Sequence, residues 1–246
     1  ERLGVRVSEY CPAVDSYTVP PRLLAGTGIW PAVKLAAQAR GILRSHGAQV
    51  TWLQRTFLPD RVTLETFCRA PVALDVDDAV WLQVKNEGRL GRLAEKCAVI
   101  IAGNDYIGRY FGRFNRNVHV VPTGVDTDVW KPSPPAFRAK FTIGWSGASG
   151  GFPALYAVED ALSVFLEKHS DAELLVVADR PPQFGKIPAG RLRFERWSAE
   201  REVGLFQQMS AGIMPLPDDE WSRGKCAYKM LLYMACGAPV AVSPVG

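Results

Sequence analysis

The chain has 246 residues, of which 48% are hydrophobic and 22% charged, so it is apolar enough to bury a core and is not a disordered segment. Its 29 Lys and Arg against 25 Asp and Glu give a net charge of +4, too small and too evenly spread to indicate a nucleic-acid surface. No apolar run approaches the ~18 residues of a membrane span, and the 5 cysteines lack CxxC spacing, which argues against a zinc site or disulfide framework and for a cytoplasmic protein.

Short apolar runs alternate with helical patterns along the chain, which predicts an α/β fold of βα units around parallel sheets. The predicted strands are residues 49–53, 71–75, 98–102, 117–121, 141–145, 173–178, 212–216 and 238–242. The predicted helices are residues 32–44, 91–96, 106–114 and 153–169. The last of these follows from an apolar stripe of Leu155, Val158, Leu162, Phe165 and Leu166. Pro153 suits its first turn.

A proline-rich segment, VPTGVDTDVWKPSPP at residues 121–135, separates the two halves. Because it lacks periodicity, it predicts a connector at residues 126–140 between a first domain, 1–125, and a second, 141–246. The chain lacks an initiator Met and ends in SPVG just after a predicted strand, so we expect a fragment with an incomplete second domain.

Four segments together resemble group 1 glycosyltransferases, the retaining enzymes of the GT-B fold: RSHGAQVTWL at 44–53, NDYI at 104–107, VPTGVDTDVW at 121–130 and YMACGAPVAVS at 233–243. The resemblance implies two Rossmann-like domains facing each other across a cleft, with a nucleotide-sugar donor in the second and the acceptor in the first. It implies transfer of the sugar to an acceptor hydroxyl with retention, and neither a metal nor a cofactor beyond the donor. The acceptor is left open as a glycan, a lipid or a small molecule, and so is a peripheral membrane contact.

One departure from the family pattern affects the donor site. Many members have two glutamates eight residues apart before the segment that matches 233–237, but here Gly224 and Leu232 stand at those positions. The missing glutamates keep open a non-catalytic nucleotide-sugar-binding or scaffolding protein. A nucleotide-sugar epimerase of similar two-domain build, which would need cleft carboxylates and no acceptor, is the other alternative.

A basic segment, DDEWSRGKCAYK at residues 218–229, lies before a helix that we expect to begin near Lys225. Lys225 and Lys229 then share one helical face, and the predicted buried stripe is Ala227, Met230, Leu231 and Met234. Cations at a helix N-terminus oppose its dipole at a cost of ~0.3–1 kcal/mol each, so a nearby anion is expected.

By the resemblance, that anion is the donor diphosphate, bound by Arg223, Lys225 and Lys229 with helix N–H groups. The alternative is a solvated surface on which the acidic residues at 218–220 pair with these cations.

A glycine-rich turn, GWSGASGG at residues 144–151, follows the first strand of the second half. Phosphate-binding loops occupy this position in Rossmann units, but the GxxGxxGG spacing is not the dinucleotide pattern GxGxxG. The resemblance makes Ser146 and Gly147 donor-binding residues. A tight turn that needs a flexible backbone explains the glycines equally well.

Three carboxylates follow the predicted strand at 71–75, in the segment DVDDAVW at residues 75–81. The DxD spacing of Asp75 and Asp77 is typical of magnesium or manganese sites, because hard oxygen ligands suit these ions. The resemblance places the segment on the acceptor side, so we favour no metal and assign Asp77 and Asp78 to the acceptor. They would hydrogen-bond sugar hydroxyls, or one would be the catalytic base. A helix N-cap is the structural alternative for one of the three.

The remaining polar and aromatic candidates have ordinary structural explanations. Asn104 and Asp105 either line the cleft or cap the next helix. By the resemblance, Trp197 borders the nucleobase; otherwise it is a half-buried aromatic. Structural roles are expected for the histidines, His46, His119 and His169.

Overall fold

The computed structural model describes residues 4–11, 14, 18, 20–24, 28–58, 60–133 and 140–246. The chain divides into two compact units, Glu1–Pro122 and Thr123–Gly246, each with its own parallel sheet. The division falls shortly before residue 125, and residues 134–139 of the predicted connector lie outside the described part. None of the helices in the described part combines the length and the apolar composition that a bilayer crossing requires.

Unit 1 contains a four-stranded sheet in the order β1-β2-β3-β4, with every neighbouring pair parallel. Its helices and strands are α1 (Ile29–Ser45), β1 (Thr51–Gln54), β2 (Val72–Val76), α2 (Glu87–Lys96), β3 (Val99–Ala102), α3 (Asp105–Phe111) and β4 (Val118–Val120). The inner strands are apolar and buried, as Leu74 of β2 and Ile100 of β3 show, and Ile107 and Phe111 of α3 are fully buried. The carboxyl ends of β2 and β3 lead into the residues predicted to be functional.

Unit 2 contains a five-stranded parallel sheet in the order β7-β6-β5-β8-β9. Its elements are β5 (Phe141–Ser146), α4 (Phe152–Tyr156), α5 (Glu159–Lys168), β6 (Ala172–Ala178), β7 (Leu192–Arg196), α6 (Ala199–Phe206), β8 (Ala211–Met214), α7 (Glu220–Arg223), α8 (Tyr228–Ala235) and β9 (Val240–Val242). Successive side chains of β6 enter two different apolar clusters: Leu174 packs with residues of α4 and α5, and Leu175 with residues of α6 and α8. The sheet therefore has helices on both faces.

The fold class predicted from the sequence is confirmed, with all eight predicted strands present and parallel. The sequence interpretation missed β7 and α6. In β7, the apolar residues Leu192 and Phe194 alternate with charged ones, the pattern of a half-exposed strand, which fits its place at the sheet edge.

The prediction of one uninterrupted helix over residues 153–169 is wrong. The structure has two helices there, α4 and α5, because the Val158 N–H bonds to the Leu155 carbonyl three residues back and tightens the chain into a turn. The apolar stripe itself is correct, since Leu155, Leu162 and Leu166 are all buried in one cluster.

The predicted helix start near Lys225 is also wrong, and so is its buried stripe. Helix α8 begins at Tyr228, after Ala227, whose φ of 51° is left-handed and interrupts any helix that runs through it. Tyr233 is fully buried, whereas Met234 is 55% exposed. The Tyr233 ring packs against Gly212 of β8. A Cβ at position 212 would lie 2.3 Å from this ring, so glycine leaves the space that the ring occupies.

Candidate functional site

The order in which the chain adds strands to the sheet of unit 2 reverses between β5 and β8. The chain builds outward from β5 through β6 to β7, then returns to the other side of β5 to form β8 and β9. In open parallel sheets, ligands bind in the crevice outside the carboxyl ends of the strands at such a switch point. β5 ends at Ser146 and β8 at Met214, so the segments that follow these two residues form the candidate site of unit 2.

The exit from β5 contains Ser146 and Gly147, both expected to bind a donor. Ser146 is only 5% exposed, and its hydroxyl has no hydrogen-bond partner among the described residues. Its backbone N–H donates to the Tyr233 hydroxyl at 2.8 Å, which joins the end of β5 to α8. A Cβ on Gly147 would lie 2.8 Å from the Trp145 ring, so glycine allows the loop to fold against that ring. A buried hydroxyl without a partner is costly, and a polar ligand would offset that cost.

Asp179, which follows β6, holds the far side of the glycine-rich loop. Its carboxylate accepts hydrogen bonds from the Ser149 N–H at 2.6 Å and from the Ser149 hydroxyl at 2.8 Å. The hydrogen bonds from Ser149 lower the pKa of Asp179. This carboxylate therefore fixes the loop, which is a different task from that of the acidic residue in dinucleotide-binding proteins.

Two of the predicted donor-binding cations, Arg223 and Lys225, lie between β8 and α8. The Arg223 Nε donates to Asp218 at 2.8 Å, and the pair is exposed. The Lys225 ammonium lies 4.6 Å from the centre of the Trp221 ring. Asp219 caps α7 by accepting the Ser222 N–H. The contact of Arg223 with Asp218 is the one that the surface interpretation anticipated.

Lys229, the third predicted cation, has a partner outside its own segment. Its Nζ lies 2.8 Å from Glu202 of α6, and the two side chains are 29% and 13% exposed. The ammonium also lies 5.6 Å from the centre of the Phe206 ring. The pair is shielded from solvent, so Glu202 both restrains Lys229 and competes with an anionic ligand for its charge.

In unit 1, Arg55 binds both carboxylates that were predicted to face the acceptor. Its Nε contacts Asp77 and its terminal nitrogen contacts Asp78, each at 2.6 Å. The Asp78 side chain is only 9% exposed, whereas that of Asp77 is 42% exposed. Arg55 follows β1 with a left-handed φ of 61°, and its N–H donates to the Asp75 carbonyl. Arg55 therefore clamps the segment that follows β2.

Asp75, the other half of the DxD spacing, is in a different environment from Asp77. Burial raises the pKa of the Asp75 carboxyl, and the Asp77 charge raises it further, although a hydrogen bond from Trp52 and the charge of Arg55 lower it. Among the described residues, no group of three His, Cys, Asp or Glu side chains is arranged to hold a metal ion.

The raised pKa of Asp75 predicts how the Asp75→Asn variant responds to pH. The folded state holds this proton more tightly than the unfolded state, so ionisation lowers the free energy of unfolding as the pH rises. The free energy of unfolding of Asp75→Asn, minus that of the native chain, should therefore be larger at about pH 7 than at about pH 3. Asp179→Asn should show the opposite trend, because the Asp179 pKa is lowered. Urea unfolding at both pH values measures this, and parallel trends in the two variants would contradict it.

Most of the other candidates have structural roles. Asn104 caps α3, its side chain accepting the Ile107 N–H at 2.9 Å. Trp197 is 48% exposed just after β7. The histidines contact neighbouring residues: His46 the Phe67 carbonyl, His119 the Asn117 side chain and His169 the Phe165 ring.

Sequence reasoning missed three residues that shape these sites: Arg55, Glu202 and Tyr233. Arg55 lies directly after a predicted strand, at the edge where parallel strands place their binding residues, and this position was a usable signal. Glu202 lies in the first turn of the unpredicted α6, so its pairing with Lys229 could not be anticipated. Tyr233 was considered only as part of the family-like segment at 233–243, and the contact of its hydroxyl with the Ser146 N–H was not anticipated.

Comparisons with known proteins support the fold. No protein-family model matches the chain, and no curated protein matches its sequence. Solved structures do match: TarM aligns with a TM-score of 0.56 and 10% identity over 87% of this chain. A UDP-forming trehalose-phosphate synthase from Burkholderia xenovorans aligns with a TM-score of 0.58 and 14% identity over 86%. The chain has the GT-B fold.

A trehalose-6-phosphate synthase studied for glycosyltransfer with retention gives a similar GT-B match, with a TM-score of 0.56 and 11% identity over 91% of this chain. The present chain spans 44% of TarM, 61% of the Burkholderia synthase and 69% of this third protein. At identities of 10–14%, these matches establish a shared fold.

Proposed function

We propose that the chain is part of a glycosyltransferase that moves a sugar from a nucleotide-sugar donor to an acceptor hydroxyl with retention. Unit 2 would bind the donor and unit 1 the acceptor. The matched structures favour this assignment, since one synthase is described as UDP-forming and a mutant TarM was solved in complex with UDP. The acceptor would be a glycan, a lipid or a small molecule, and we propose a cytoplasmic setting.

The observation that carries the proposal is the Ser146 hydroxyl at the switch point of unit 2, which has no hydrogen-bond partner in the described part of the chain. It is buried at the carboxyl end of β5, beside a glycine-rich loop, which is where Rossmann-like units bind phosphate groups. In this assignment, Ser146 and the Gly147 backbone contact the donor. Because Tyr233 holds the Ser146 N–H, the hydroxyl is presented from a fixed backbone.

The cations that follow β8 would stabilise the leaving diphosphate. Arg223 and Lys225 lie in the segment that precedes α8, and Lys229 lies in its first turn. Negative charge develops on the diphosphate as the glycosidic bond to the donor breaks, so positioned cations and helix N–H groups favour that state over the intact donor. We expect donor binding to need no divalent metal, because these side chains supply the positive charge.

In unit 1, we propose that Asp77 and Asp78 act on the acceptor side with different tasks. The more exposed Asp77 retains lone pairs that can accept a hydrogen bond from a sugar hydroxyl while it contacts Arg55. The buried Asp78 would fix the segment through Arg55.

Ser146→Ala tests the donor site without disturbing the fold. Removing a buried hydroxyl that no described residue contacts by a hydrogen bond should leave the free energy of unfolding unchanged or raise it. If the hydroxyl binds the donor, nucleoside diphosphate affinity should fall about three- to ten-fold, the effect of one neutral hydrogen bond.

Ser163→Ala is the matched control, because Ser163 is also buried but contacts Glu167 and the Lys186 carbonyl. It should lose stability and keep its affinity. Calorimetric titration and urea unfolding measure both properties, and equal affinity of the native chain and Ser146→Ala would remove the main support for the site.

A further inference from the structure

Unit 1 contains a pocket that none of the predicted functional residues lines. It has a volume of about 230 Å³ and is lined by Trp81, Tyr106, Arg109, Tyr110 and Arg113. Trp81 lies in a short 3-10 helix, Val80–Leu82, that follows the clamped segment after β2, and the other four residues belong to α3 or follow it. The walls therefore combine three aromatic rings with two guanidinium groups.

The aromatic wall is held in place by its neighbours. The Trp81 and Tyr110 rings are parallel, with centres 4.0 Å apart, and the Arg113 guanidinium lies over the Tyr110 ring at 4.2 Å. Trp81 cannot easily move, because Ala79 and Val80 before it are buried and Arg55 binds the two carboxylates just upstream. A rigid wall of this kind loses little conformational entropy when a ligand binds.

The charge of the pocket is incompletely neutralised. A terminal nitrogen of Arg113 is 3.5 Å from Glu87, a long contact between exposed side chains, and the Arg113 Nε donates to the Tyr110 carbonyl at 3.1 Å. Arg109 has no hydrogen-bond or ion-pair partner among the described residues, although it lines the same pocket. Both guanidinium groups line the pocket, so an anion there would accept charge-assisted hydrogen bonds from Arg109 and Arg113.

We propose that this pocket binds an anionic sugar, a pyranose ring with a phosphate, carboxylate or sulfate group. The anionic group would contact Arg109 and Arg113, and the C–H groups of the sugar ring would pack on the Trp81 and Tyr106 rings. The Tyr110 ring supports this wall, because it already lies between Trp81 and Arg113. The pocket is open to solvent, and its volume, below the ~300–1,000 Å³ typical of sites for larger ligands, is enough for one sugar ring; a nucleotide would extend beyond it. The assignment of this sugar as the acceptor rests on the proposed function. Its binding to the pocket is independent of that function.

Arg109→Gln is the direct test, with Arg40→Gln as the control. Arg40 is exposed on α1, so its replacement makes the same charge change away from the pocket lining. Calorimetric titration of the full-length protein would use glucose 6-phosphate, mannose 6-phosphate, glucuronic acid and uncharged glucose, without any donor. We expect at least one anionic sugar to bind, about ten-fold more weakly to Arg109→Gln and equally well to Arg40→Gln. Glucose should bind much more weakly.

Tyr106→Leu tests the aromatic part of the proposal. It removes a ring of the wall while keeping an apolar side chain, so it should weaken binding of the same anionic sugar and leave the binding of inorganic phosphate unchanged. Native far-UV circular dichroism in all three variants would confirm that they are folded.

Four results would overturn the proposal: no binding of any anionic sugar to the native protein, equal binding of glucose, equal losses in the Arg109 and Arg40 variants, or tighter binding of uridine monophosphate at the same pocket. Failure of the proposed function would look different, because it would appear as missing nucleoside diphosphate binding in unit 2. The two titrations use different ligands, so either result can stand without the other.

Discussion

Arg55→Ala is expected to lower the free energy of unfolding by about 3 kcal/mol, the lower end of the range for removing one partner of a buried ion pair. The substitution leaves the Asp78 carboxylate, whose side chain is 9% exposed, without this cation, and the Arg55 side chain that it removes is 30% exposed. It also frees the segment that positions Trp81. Urea unfolding measures the effect as a lower midpoint at an unchanged slope.

Arg61→Ala is the control for this prediction. Arg61 contacts Asp60 at 2.7 Å, but their side chains are 47% and 36% exposed. Because water solvates the remaining carboxylate, we expect a loss of ~0–1 kcal/mol. If the two variants lost equal stability, Arg55 would not be the clamp described above.

Lys229→Ala is expected to reduce nucleoside diphosphate affinity about ten-fold or more, because a charge-assisted contact contributes ~1.5–3 kcal/mol. It should also destabilise the fold, since Glu202, with a side chain 13% exposed, loses its partner. Lys140→Ala is the control for affinity. Lys140 lies just before β5, at the opposite end of the sheet, and contacts Glu173 of β6 at 3.2 Å. Its side chain is 50% exposed and Glu173 also contacts Arg193, so the variant should lose little stability and keep its affinity.

Glu202→Gln separates a donor-binding role of Lys229 from a purely structural one. If Lys229 must leave Glu202 to contact the diphosphate, neutralising Glu202 should raise the affinity for nucleoside diphosphates. If the pair serves only to hold α6 against α8, Lys229→Ala and Glu202→Gln should both lose stability, and neither should change the affinity for nucleoside diphosphates. Calorimetric titration decides between these outcomes.

Local patterns predicted much of the fold. The apolar segments around Leu74 and Leu174 were identified as strands because nearly every residue in them is apolar, as a strand buried on both faces requires. The edge strand β7 was missed because Arg193 and Glu195 interrupt its apolar residues. The start of α8 depended on a left-handed φ at Ala227, for which alanine gives no signal.

The sites were less predictable, because their geometry depends on partners far apart in the chain. Arg55 precedes Asp77 by 22 residues, and Glu202 precedes Lys229 by 27. Neither pairing follows from helical or strand periodicity. The glycine-rich turn after a strand could be placed at the carboxyl edge of a Rossmann-like sheet from the sequence, whereas Ser146 and Gly147 were chosen within it by the family resemblance. Only the structure shows that the Ser146 hydroxyl has no partner among the residues it describes.

Direct calorimetric titration of the protein with uridine, guanosine and adenosine diphosphates tests the central claim, that the switch point of unit 2 is a nucleotide-sugar site. The account predicts that at least one of them binds at a single site, more weakly to Ser146→Ala and Lys229→Ala and unchanged to Ser163→Ala and Lys140→Ala. Absence of binding by all three diphosphates, or equal binding to all four variants and the native chain, would contradict it.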